Sequence, residues 1–116
     1  MPEHYELIER TGDMPQEADF CLTLEGDEME PVIKQGSRVY VSRRESPGDM
    51  EAGVFYYRGR IYCRQLCRDY AVDIHLLCAN PKRESENLRL TKGEMEKCLC
   101  LGKVLLEEKP PMPVYG

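Results

Sequence analysis

Alternation of apolar and polar side chains carries most of the structural signal in this chain. From Asp19 onward, Phe20, Leu22 and Leu24 alternate with Cys21, Thr23 and Glu25, the period of two of a half-buried strand. Gly26-Asp27 ends that run, Met29, Pro31 and Ile33 follow, and Gln35-Gly36 makes a turn into a second strand over residues 37–41. A polar stretch from Ser42 to Gly48 closes it, with Pro47-Gly48 as a breaker pair. Residues 53–57 and 60–66 read as two strands around Arg58-Gly59, a short hairpin signal. Residues 72–78 form another strand, which Asn80-Pro81 breaks; residues 82–87 are a polar loop. Residues 88–90 are strand-like, 91–96 make a single helical turn, and 98–106 form a closing strand. No stretch predicts a long helix, and short strands at regular spacing predict one mainly-β domain over residues 19–107. Residues 1–18 read as an N-terminal arm or linker, with little periodicity beyond Tyr5, Leu7 and Ile8. Residues 108–116, with Pro110, Pro111 and Pro113, read as an extended, exposed tail or a disordered end.

Length and charge narrow the function. With 116 residues the chain can bury roughly two-thirds of its unfolded surface, so it needs no disulfide or metal staple. The net charge of -5 offers no basic face to displace counterions from phosphate, so direct nucleic-acid binding is not expected. No apolar run approaches the roughly 20 residues that span a bilayer, and the first residues lack the basic-then-apolar order of a signal peptide. The six cysteines include no C-x-x-C pair, and neither His4 nor His75 has zinc-type spacing. Three disulfides would suit a secreted protein. Cysteines inside apolar runs, such as Cys78, Cys98 and Cys100, favour reduced core thiols and a cytoplasmic setting instead.

The stretch from Ala18 to Pro31, ending Gly26-Asp27-Glu28-Met29-Glu30-Pro31, resembles the self-cleaving LexA-like, UmuD-like and phage-repressor peptidases, whose strand ends Gly-Asp-Ser-Met-x-Pro. Ile33 to Val41 resembles that family's apolar-x-x-Gly continuation. Ala52 to Phe55 with Arg58 to Leu66 resembles its hairpin ending Val-Lys-Arg-Leu. Leu76 to Pro81 resembles its Leu-x-Ser-x-Asn-Pro strand end, and Leu101 to Val104 its closing Gly-x-Val strand. The resemblance covers residues 19–106 and implies a bent β-sheet assembly of the β-clip or β-ribbon type. It also implies self-association as a homodimer, with any DNA contact made by a helix-turn-helix domain or partner chain outside this sequence. A chain beginning at Met1 favours a standalone product, although a fragment of a longer repressor would begin the same way.

Such peptidases use a serine nucleophile and a lysine base made neutral by burial. Here the serine position holds Glu28 and the lysine position Arg64, while the motif residues Gly26, Asp27, Met29 and Pro31 remain. A carboxylate attacking an amide would give a high-energy anhydride, and a guanidinium stays protonated, so neither replacement can do its predecessor's work. No Ala-Gly or Cys-Gly cut site precedes Glu28, and Ala52-Gly53 fits the hairpin. The expectation is a catalytically degenerate member with no cofactor and no metal, acting in self-association and in transcription, phage or SOS-type regulation. The alternatives are a peptidase with residual or altered activity, and a signal-peptidase-like relative, which the missing serine and anchor disfavour.

The resemblance also brings Glu28 and Arg64 together, which predicts an ion pair with a bidentate guanidinium; the competing reading is two independent solvated charges. Ser37, Ser42, Ser46 and Ser85 read as strand or turn residues, and His75 as structural. The acidic run Glu25, Asp27, Glu28 and Glu30 is split between faces by alternation and has no His or Cys beside it.

Overall fold

A computed structural model describes residues 5–107 and 110–115, with the side chains of residues 5–7 excepted. Its strands are β1 (Tyr5–Glu9), β2 (Phe20–Leu24), β3 (Arg38–Ser42), β4 (Ala52–Tyr57), β5 (Arg60–Arg68), β6 (Ile74–Leu77), β7 (Leu88–Leu90) and β8 (Leu99–Val104). A 3₁₀ helix (Pro81–Glu86) and one short helix, α1 (Lys92–Met95), complete the regular structure among the described residues. All strands join one antiparallel sheet in the order β1-β2-β3-β8-β4-β5-β6-β7, so β8 is inserted between β3 and β4.

The alternation along β2 and β3 works as expected. Phe20, Leu22 and Leu24 meet Val39 and Val41 in a core that also takes Met29, Val54, Cys63 and Val104. The neighbour of Val54, Phe55, belongs to a second core with Leu66, Leu76 and Leu90, which Met95 of α1 covers. Successive residues of β4 therefore feed opposite faces, the arithmetic of a pleated strand buried on both sides. The β4–β8 register shifts between Val54, opposite Gly102, and Phe55, opposite Cys100, leaving Leu101 as the extra residue of a bulge. Gly102 lies at φ 155, and a Cβ there would collide with the Ser42 carbonyl oxygen.

Three elements differ from the sequence-based expectation. The supposed arm contains β1, paired from Tyr5–Leu24 to Glu9–Phe20. Its loop back is clamped by Arg10, whose guanidinium donates to the carbonyls of Pro15, Gln16 and Ala18, over a small cluster of Met14, Ala18 and Cys21. The polar loop after Asn80 is a 3₁₀ helix with Pro81 at its first position; the Asn80 side chain caps it by accepting from the Lys82 N–H. The tail is extended but not wholly exposed, since Pro110 is buried.

All six cysteines are thiols; Cys21, Cys63 and Cys78 lie in the interior, Cys67 and Cys98 are half-buried and Cys100 is exposed. No helix among the described residues is long and apolar enough to cross a membrane.

Candidate functional site

The loop after β2 is held by its neighbours rather than by its own turn. Met29 is buried in the first core and its carbonyl accepts from the Ile33 N–H. Asn80 ties the loop from outside: its side-chain amide donates to the Asp27 carbonyl at 2.9 Å and its backbone N–H to the Glu28 carbonyl at 3.0 Å. Glu30 accepts from the Gln35 N–H at 2.9 Å and so fixes the turn before β3. Pro31 is exposed, and the Glu30–Pro31 peptide is cis.

Asp27 carries the charge contact of this loop. Arg83 Nε donates to Asp27 Oδ1 at 2.7 Å and its Nη2 to Oδ2 at 3.4 Å. That two-point contact holds the Asp27 carboxyl below its ordinary value and raises the Arg83 guanidinium above its own. The neighbouring Glu28 carboxylate folds back over Gly26 so closely that a Cβ on Gly26 would run into both of its oxygens. A side chain at position 26 would therefore push the Glu28 carboxylate out of its present place.

Arg64 sits on β5 opposite Gly53 and is fully buried. Its Nη1 donates to the Cys63 carbonyl at 2.9 Å. Nε and Nη2 donate to the Glu86 carbonyl at 3.4 and 3.2 Å, and the guanidinium carbon lies 5.3 Å from the Tyr62 ring centre. The expected Glu28–Arg64 ion pair does not form. The Arg64 fork reaches a main-chain carbonyl at the end of the 3₁₀ helix, while Glu28 is turned over Gly26 and feels the charge of Arg83. The loop's cation is Arg83, which sequence reasoning left in a polar loop. The one available clue was Asn80-Pro81, which starts a helical turn and so projects a residue two places later toward Asp27.

Next to Arg64, Gln65 is fully buried. Its Nε2 donates to the carbonyls of Met50 (2.9 Å), Pro111 (3.0 Å) and Pro110 (3.3 Å), while its Oε1 has no hydrogen-bond partner. Farther along the tail, the Tyr115 hydroxyl donates to the Cys78 carbonyl at 2.8 Å and lies 3.5 Å from Asn87 Oδ1. The tail thus runs over the end of the β5–β6 pair, beside Arg64.

The remaining candidates have structural surroundings. Ser42 is buried, Ser37 is half-buried, Ser46 and Ser85 are exposed, and among the described residues no lysine or histidine side chain hydrogen-bonds a serine hydroxyl. His75 Nε2 meets Asp69 Oδ2 at 2.7 Å, and Cys67 stands opposite His75 in the β5–β6 register. Cysteine, histidine and aspartate together invite a nucleophile reading. Burial, with the carboxylates of Asp49 and Asp69, pushes the Cys67 thiol up, which is the wrong direction for a thiolate nucleophile. On the face of the second core a cavity of about 220 Å³ opens between Phe55, Leu66, Leu90 and Met95, separate from Glu28 and Arg64. Among the described residues no three His, Cys, Asp or Glu side chains gather as metal ligands.

The sequence model of the family described as Peptidase S24-like matches residues 2–105. No curated protein matches the chain.

Proposed function

The chain belongs to the Peptidase S24-like family, and from that membership we propose that it is a non-catalytic member acting as a self-associating module in transcription, phage or SOS-type regulation. The observation that carries this reading is the identity of two residues. By the resemblance of Gly26 to Pro31 and of Arg58 to Leu66 to the family's motifs, Glu28 falls at the nucleophile position and Arg64 at the base position. The geometry around them supports it: Arg64 is buried against carbonyl acceptors and a ring face, and a guanidinium so placed stays charged. Glu28 itself has no hydroxyl to offer.

The regulatory role proceeds through association, with DNA contact left to a helix-turn-helix domain or partner chain. Two features support self-association. The sheet is open, ending in β1 and β7, and Tyr56 and Leu99, paired across β4–β8, are 45% and 59% exposed. Sedimentation equilibrium should show a dimer at micromolar concentrations; a strict monomer at about 100 µM, weaker than typical specific pairs, would remove this half of the proposal. The six thiols fit a reducing cytoplasm.

The catalytic question is settled by holding the protein at pH 7 and at pH 10 for a day and weighing it intact. An unchanged mass at both values is expected. A specific fragment pair at pH 10, where a lysine base would be neutral, would establish the alternative, a peptidase with altered machinery.

A further inference from the structure

The C-terminal segment makes the least expected contacts in the molecule. Residues 110–115 lie extended without secondary structure, yet they are fastened at two points. At the near point the buried Gln65 amide donates to the carbonyls of Pro110 and Pro111. At the far point the Tyr115 hydroxyl donates to the Cys78 carbonyl. Between them Met112 and Val114 face solvent, 58% and 80% exposed, while Tyr115 turns inward near enough to Arg64 for that charge to act on its phenol. Burial nevertheless wins and raises the Tyr115 pKa, so the hydroxyl stays a donor at neutral pH.

The near fastening is chemically lopsided. Gln65 Nε2 is surrounded by three acceptor carbonyls, which fixes the orientation of the amide, and leaves Oε1 buried without a donor. Buried amide oxygens are seldom left so, because each unmet one costs free energy comparable to a lost hydrogen bond. The residues laid against Gln65 are prolines, which have no N–H to give.

We propose that residues 110–115 are a displaceable strap occupying a groove for an extended peptide, latched by Gln65 and Tyr115, and that the groove prefers a peptide with a backbone N–H where the strap has Pro110 or Pro111. The strap's prolines lower the entropy of holding it in place, and its missing donor makes it a weaker occupant than the groove allows. Recognition is by main chain: an acceptor pair for Gln65 Nε2, a donor for Gln65 Oε1, and a hydroxyl for Cys78. The inference stands apart from the question of catalysis, since no contact in it involves Glu28.

The test uses the full chain and fluorescein-labelled hexapeptides followed by polarisation. One peptide has the strap's own sequence, Pro-Pro-Met-Pro-Val-Tyr, and two others replace its first or second proline by alanine. One alanine peptide should bind about tenfold tighter than the parent, the gain from pairing Oε1 less the lost proline rigidity. Tyr115→Ala in the full chain unlatches the strap and should raise the affinity for all three peptides by about tenfold, because the strap no longer competes in cis. Strengthening the strap should do the reverse: placing alanine in the full chain at whichever proline improves the peptide should weaken binding in trans by about tenfold. Melting curves check that each variant is folded, and the opposite signs of the two variants separate displacement from damage. Absence of binding at about 1 mM to the Tyr115→Ala chain, or equal affinities for the wild type and both variants, would overturn the proposal.

Discussion

Replacing Arg64 by alanine should destabilise the protein strongly, and the effect should be independent of Glu28. Arg64 is fully buried, and its loss leaves the Cys63 and Glu86 carbonyls without their guanidinium donors. Unmet buried carbonyls cost about 1–3 kcal/mol each, and the contact with the Tyr62 ring adds about 0.5–1 kcal/mol. The Glu86 carbonyl is only partly buried, which lowers its share, so these contacts together contribute about 3–4 kcal/mol and the loss should be at least that. A domain of this size has about 5–15 kcal/mol to lose, so the variant should remain folded and measurable. Glu28→Ala removes a half-buried carboxylate with no ion-pair partner, and its effect should stay within about 0.5 kcal/mol. Urea unfolding at pH 7 of the wild type, both single variants and the double variant gives the coupling, expected below about 0.5 kcal/mol. Glu28→Ser should likewise be nearly neutral and inactive, in contrast to the loss that an ion pair would predict. A coupling above about 1.5 kcal/mol would refute the argument, because it would mean that the two charges meet in solution.

Two further outcomes follow from the geometry. Gly102→Ala should cost about 2 kcal/mol or more in thermal unfolding, because its Cβ would strike the Ser42 carbonyl and its φ of 155 suits glycine; an unchanged melting temperature would show that β3 and β8 can separate. Acid should weaken the fold through Asp69, whose carboxyl the His75 hydrogen bond holds below its ordinary 3.8. A depressed folded-state pKa gives stability that is present above 3.8 and is lost as pH falls through the folded value, so melting temperatures from pH 5 to pH 2.5 should drop less steeply in Asp69→Asn.

What the sequence revealed follows from how each contact is made. The alternation of Phe20, Leu22 and Leu24 is a local pattern, and so is the Arg58-Gly59 turn, where both residues take positive φ, 49 and 78. The family and the loop from Gly26 to Pro31 were legible because side-chain identity carries them. β1 was missed because its pairing is to the main chain of β2, and Tyr5, Leu7 and Ile8 alone make a weak pattern. The placement of Arg64 failed for the same reason: among the described residues it donates to the carbonyls of Cys63 and Glu86, backbone groups that every residue possesses and none advertises. Pro110 and Pro111 misled in the same way, since three nearby prolines suggest an exposed end, whereas the buried amide of Gln65 holds the carbonyls of the first two. The Asp27–Arg83 contact joins residues 56 positions apart, beyond the reach of any periodicity.

The insertion of β8 sets the order in which the molecule can be completed during synthesis. β1, β2 and β3 form one meander, and β4, β5, β6 and β7 another, each built from neighbours in sequence. No strand pairing joins β3 to β4 directly; β8 lies between them and bonds to both. On the ribosome, then, two half-sheets can take shape as they emerge, each with an unpaired inner edge, and they become one sheet only when β8 arrives to close the seam. Folding of the whole waits on the synthesis of β8, and until that moment the exposed edges of β3 and β4 are the surfaces that a chaperone would have to shield.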